Sequence, residues 1–163
     1  LNTISLKDIV RGRIEPERTD PVYVDHIRDA TRYMAAGADV VVAVRGTLPK
    51  VAIVPDALNG AVVTSTLAGI RPRDVLPEVL VAFLRSPAGR TSLQSRVRSA
   101  TGQISLTLED VRNIDVPVPP MDVQQHIADI MRTLDEHDAA SREALLVRHM
   151  VADRVITDLF QAG

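Results

Sequence analysis

Cysteine is absent from this chain of 163 residues. That excludes a disulfide framework, a thiolate metal site and a cysteine nucleophile. Aromatic residues are almost missing as well: Tyr23, Tyr33, Phe83 and Phe160 are the whole set. A stacking platform for single-stranded nucleic acid needs several exposed rings, so that class is set aside. No apolar run is long enough to cross a membrane and no leader pattern stands at the start, so a soluble, cytoplasmic protein is expected. The spacing Gly-x-Gly never occurs, nor does Gly-Lys-Ser/Thr, which leaves no loop built to cradle a nucleotide. His26, His126, His137 and His149 lack metal-ligand spacing, so neither metal nor cofactor is expected.

Helix breakers are missing from one long stretch. All ten prolines lie at or before Pro120, and the only glycine after Gly102 is Gly163. Residues 121–162 should therefore form one helix, about 60 Å long at 1.5 Å per residue. The chain divides accordingly into a turn-rich part, 1–120, and a helix, 121–163. The helix seam Ile127, Met131, Leu134, Asp138, Ser141, Leu145, Arg148, Ala152, Val155, Leu159 is apolar at both ends and polar in the middle. A lone helix cannot bury such a stripe, so it either bends back onto its own domain or meets a partner. A domain this small cannot cover 60 Å, which favours a coiled coil through Ile127, Met131, Leu134, Leu145, Val155 and Leu159.

What is present is 45% apolar, enough for one domain with a core of Val, Leu, Ile and Ala. Val40 to Val44 reads as a buried strand and Val51 to Val54 as its hairpin partner. Ala61 to Thr64 should begin a third strand. Gly12 to Pro21 reads as loop, and Tyr23 to Tyr33 as a strand followed by a turn or a helical turn. Asp74 can cap a helix running to Leu84, and Ser86-Pro87 starts a second that ends near Arg98. Thr101-Gly102 turns the chain and Gln103 to Leu106 is extended. Thr107 to Asp110 has the form of a capping box, and Ile114 to Pro119 alternates like an edge strand. The fold class expected is α+β, a mixed domain with a long C-terminal coiled-coil helix.

Charge of one sign is missing from a further window. The net charge is −2, with +2 on residues 1–120 and −4 on residues 121–163. Yet no acid occurs between Glu78 and Glu109, where Arg85, Arg90, Arg96 and Arg98 alternate with short polar residues, Thr101 and Gln103 among them. Guanidinium forks with polar neighbours suit phosphate positioning and base-edge readout; a solvated helix face has the same pattern. Arg45-Gly46-Thr47 with Lys50 is a second candidate edge, because glycine lets a backbone approach a phosphate; an ordinary hairpin turn has the same composition. The candidate DNA contacts are thus Arg45, Thr47, Lys50, Arg90, Arg96, Arg98, Thr101 and Gln103.

Three motifs carry a resemblance. Leu6-Lys7-Asp8-Ile9 is similar to an opening Leu-Gly-Asp-Ile. Gly37-Ala38-Asp39-Val40, followed by Arg45-Gly46-Thr47 and Lys50-Val51-Ala52, is similar to a Gly-Asp-Val-Leu hairpin with a Gly-Thr turn, with Ala38 inserted. Ile114 to Ile127 is similar to Ile-Pro-Leu-Pro-Pro-Leu followed by Glu-Gln and isoleucine, with Val123-Gln124 in the Glu-Gln position. In this order they resemble the specificity subunits of type I restriction–modification systems, as one target recognition domain plus one spacer helix. Full members carry two such units, so the chain looks like a half unit, or a fragment of a longer chain, as the first residue Leu1 also allows. The resemblance implies a non-enzymatic unit that reads double-stranded DNA, a helix that sets spacing and docks a methyltransferase subunit, and pairing with a second copy. Two other readings stay open: the recognition part of a larger DNA methyltransferase, and a coiled-coil adaptor that binds no DNA. Pro119-Pro120 lacks the amide and the ring of a base-flipping loop, since Val118 precedes it and Met121 follows.

Overall fold

The computed structural model describes residues 1–23, 30–46, 50–97 and 104–161. Its centre is the valine run. Strand β4 (Val40–Ala43) lies between β6 (Val51–Ile53) and β8 (Leu67–Ile70), antiparallel to both, with Val41 opposite Ala52 and Gly69. Side chains alternate across a strand, and both faces of β4 are covered, so every position is apolar. Val41 and Ala43 pack with Ile4, Ile9, Ile14, Val54 and Leu58. Val40 and Val42 pack with Leu80, Val81, Leu84 and Leu93 on the other side. Each large side chain buried this way contributes roughly 1.5–3 kcal/mol.

Helix α1 (Pro77–Arg85) and helix α2 (Pro87–Gln94) cover the second face. Proline stands at the first position of each, where no backbone donor is lost. Leu76, not Asp74, occupies the α1 cap, and α2 ends at Gln94, short of Arg98. Ser86 links the two helices: its Oγ accepts from the Gly89 N–H at 3.2 Å. Gly89 allows that close approach. A Cβ there would collide with the Phe83 carbonyl oxygen and lie 2.8 Å from Leu84 Cα, both backbone. Gly89→Ala should therefore cost about 3 kcal/mol through overpacking, read as a lower midpoint in chemical unfolding. The neighbouring exposed Ala88→Ser should leave that midpoint in place.

Several local expectations are corrected. A strand does form within residues 61–64, at Val62–Val63, but the third strand of the central sheet is β8. Thr64 to Thr66 form a turn, with Leu67 N–H donating to Thr64 O at 3.0 Å and the two threonine hydroxyls 2.9 Å apart. Val62–Val63 (β7) instead runs parallel to Thr3–Ile4 (β1). The polar stretch after Gly12 holds a strand, β3 (Arg13–Ile14), antiparallel to β2 (Ile9–Val10). Ile114 to Pro119 forms no ladder, as its prolines cannot donate to one. Strand β5 (Arg45–Gly46) pairs with β9 (Ile104–Ser105), and α3 (Leu108–Arg112) begins at the expected capping box, where Thr107 Oγ1 accepts from Asp110 N–H at 3.1 Å. Residues 24–29 of the expected 23–33 element and the Thr101-Gly102 turn lie outside the described residues.

Helix α4 (Met121–Gln161) is unbroken over 41 residues. Its first turns lie on α1, with Gln124 and Ala128 buried and Met131 packed against the α1 core. Beyond them the large apolar side chains of the described residues are exposed: Leu134, Leu145, Leu146, Val147, Met150, Val151 and Val155 are each more than half accessible, while the side chain of Leu159 lies outside the described ones. Ile127 is half-buried. The expected seam thus splits into an anchored start and a bare distal half.

Candidate nucleic-acid interface

The outer edge of the sheet is β8, which has no strand beyond it among the described residues. A cleft of about 1250 Å³ opens along that edge. Its lining includes residues 31–35, β7, residues of α3, Ile114 and Val116. Drug-sized ligands occupy smaller pockets, so a cleft of this volume suits the edge of a macromolecule. Four arginines line it, Arg32, Arg45, Arg71 and Arg112, and all four are exposed. The Arg32 guanidinium lies 4.7 Å over the Tyr33 ring. Thr31, Thr64 and Ser65 add hydroxyls to the same lining.

Asp39 is the only carboxylate in the described lining, and it is neutralised in place. Arg71 donates from Nε to Oδ1 at 2.9 Å and from Nη2 to Oδ2 at 2.8 Å, a bidentate fork. The Ala36 N–H adds a third bond at 2.8 Å. Burial pushes the Asp39 carboxyl up, but the Arg71 fork, the Ala36 bond and the Arg71 charge outweigh it and hold the group below its ordinary 3.8. The folded state then binds fewer protons than the unfolded one, so this stabilisation is complete above about pH 5 and is lost as pH falls through the ordinary carboxylate value and on through the lower folded one. Arg71 is 61% exposed, and water screens the pair. Asp39→Asn should accordingly cost only about 1 kcal/mol at neutral pH, with acid unfolding that is less steep than in the parent. The inserted Ala38 before it takes a left-handed φ of +67°, a strain of about 1 kcal/mol that glycine would avoid.

Of the described residues nominated from the sequence, Arg45 alone is in the lining of this cleft. Lys50 is committed elsewhere: its Nζ donates to the Leu6 and Ile9 carbonyls at 3.1 and 3.0 Å. Arg96 donates to the Asn113 carbonyl at 2.6 Å, and Arg90, exposed on α2, donates from Nε to the Arg85 carbonyl at 2.9 Å. Arg85 is half-buried and ties Gly12 O (2.6 Å) to Val51 O (2.9 Å). Burial lowers its guanidinium from the ordinary value, with Asp135 opposing. Thr47, Arg98, Thr101 and Gln103 lie outside the described residues. Arg32, Arg71 and Arg112 carried no signal in the sequence, being single arginines in unrelated segments. Among the described residues no group of three His, Cys, Asp or Glu side chains gathers to hold a metal ion, and no helix is long and apolar enough to cross a membrane.

Comparison with known proteins gives a consistent answer. A family model described as "Type I restriction modification DNA specificity domain" matches residues 13–146. No curated protein matches the chain. Among solved structures, one described as the HsdS subunit from Thermoanaerobacter tengcongensis superposes with a TM-score of 0.65 at 23% identity, covering 86% of this chain. A second, from work on complex assembly and conformational transition of the type I R-M system, gives 0.63 at 22% identity over 87%. The chain spans 37% of the length of each.

Proposed function

Because this chain belongs to the type I restriction modification DNA specificity domain family, we propose that it reads a duplex DNA target through the arginine cleft and lends no catalytic group of its own. The observation that carries the reading is the cleft itself: four exposed guanidinium groups, one carboxylate, and that carboxylate already paired. Arginine forks match phosphate oxygens and guanine edges. With Asp39 satisfied by Arg71, nothing in the described lining repels a phosphate. The weak overall charge of −2 is no obstacle, since the acidic excess sits on α4.

The bare half of α4 supports the rest of the proposal. Leu145, Leu146, Val147, Met150, Val151 and Val155 point around most of the helix circumference, since successive residues turn by about 100°. Exposed apolar side chains at that density, interleaved with Arg148, His149, Asp153 and Arg154, favour cover by a partner helix or subunit. A second copy along one side and a methyltransferase subunit along another would cover it, and two cleft-bearing domains would then flank one helix pair. This reading predicts that the intact chain shifts a random-sequence duplex at low salt and that log K falls linearly with log salt. Absence of any shift at low salt would leave the adaptor alternative in its place.

A further inference from the structure

Three polar or charged residues are buried among the described ones: Asp8, Asp39 and Gln124. Gln124 is the one that belongs to the long helix, and it is 2% exposed. Its Oε1 accepts from the Leu76 N–H at 2.9 Å, immediately before α1. Its Nε2 donates to the Pro119 carbonyl at 3.0 Å, in the segment that enters α4. Both ends of one amide are therefore used, on two different elements.

The remaining contacts between α4 and the domain are less directional. Ala128 and Met131 supply apolar packing, which tolerates rotation. The ion pairs Arg13–Asp135 at 3.3 Å and Arg132–Glu78 at 3.9 Å are partly exposed and weak. Upstream, Pro119-Pro120 fixes φ at the entry and makes the junction stiff. Pro120 O then accepts the Gln124 N–H at 3.0 Å, which starts the helix.

We propose that Gln124 is a positioning residue that sets the heading of α4 relative to the recognition domain, and thereby the gap between the two half-sites. The second clause rests on the reading of the chain as a paired duplex-recognition unit. The leverage is large. From Gln124 to Gln161 the helix runs about 55 Å, so 10° of swing moves the tip by about 10 Å. That is roughly three base pairs at 3.4 Å each.

The chain has no cysteine, so two introduced thiols report distance without background. Glu17→Cys and Ser141→Cys, both at exposed positions, carry spin labels in the full chain, diluted with unlabelled chain to remove distances between copies. The parent should give one narrow distance population. Gln124→Met keeps the volume and loses both bonds; each 10° of swing displaces Ser141, about 25 Å along the axis, by about 4 Å, so the population should broaden or shift by that order. Gln124→Glu, which can still accept from Leu76, should fall between the two. A lower melting temperature with an unchanged narrow population would overturn the proposal, since a merely stabilising residue does that. In a second arm, selection from random duplex should return the same half-sites for parent and Gln124→Met, with one gap for the parent and several for the variant. A single gap in both would refute the spacing role even if the distance broadens. Failure of the parent to select any duplex would instead sink the DNA reading, whatever the distances show.

Discussion

Alanine at Arg32, Arg45 and Arg112 together is expected to weaken duplex binding by on the order of 100-fold, at about 1 kcal/mol for each lost charge-assisted contact. The slope of log K against log salt should fall by roughly three, because each phosphate contact contributes about 0.9. All three side chains are exposed at the cleft rim, so the fold should survive their removal. Arg71 is left in place because its fork holds Asp39. A second triple, Arg11, Arg18 and Arg73 to alanine, removes the same charge from exposed positions outside the cleft lining and off the long helix. Equal losses in the two triples would mean that net charge, not the cleft, drives binding.

Glutamate at Leu145 and Val151 is expected to turn a paired chain into a monomer. Both residues are more than half exposed, so the substitutions leave the domain core untouched. In a helix pair each would lose about 1.5–3 kcal/mol of apolar burial and add an uncompensated charge. The combined loss corresponds to a dissociation constant raised on the order of 1000-fold or more. Helical content by circular dichroism should fall in the distal half of α4 as well, since a long helix without a partner is marginal in water. A variant that keeps the mass of the parent would show that pairing, if present, uses another surface.

The family motifs were legible in the sequence, and the structure explains what they do. Each contains one of the three buried polar residues. Asp8 accepts the Ser5 N–H and Oγ at 2.7 Å in the opening element. Asp39 in the hairpin holds Arg71, and Gln124 anchors the long helix. These are scaffold bonds within the fold, and short-range patterns report them well. The long helix was equally plain, because forty-odd residues without a breaker admit little else.

The cleft was not legible for the opposite reason. Its arginines stand at 32, 45, 71 and 112, and only the edge of β8 and the placement of α3 bring them together. The denser window from Arg85 to Arg98 was the louder signal. Its described arginines instead donate to backbone carbonyls: Arg90 and Arg96 to the Arg85 and Asn113 oxygens that the helix ends leave unpaired, and Arg85 to Gly12 O and Val51 O beside the strands. The seam is ambiguous in a similar way. Heptad spacing groups Ile127 and Met131 with the distal stripe, whereas in the structure Met131 packs on its own core and Ile127 is half-buried at the docked end. Pattern alone does not separate a stripe that meets its own domain from one that meets a neighbour.

Sedimentation equilibrium of the intact chain, alone and with a short random-sequence duplex at low salt, tests the central claim most directly. Two chains of 17.7 kDa should sediment together, at about twice that mass, and the same two chains should be bound when duplex is added. A single 17.7 kDa species that sediments independently of the duplex would contradict it.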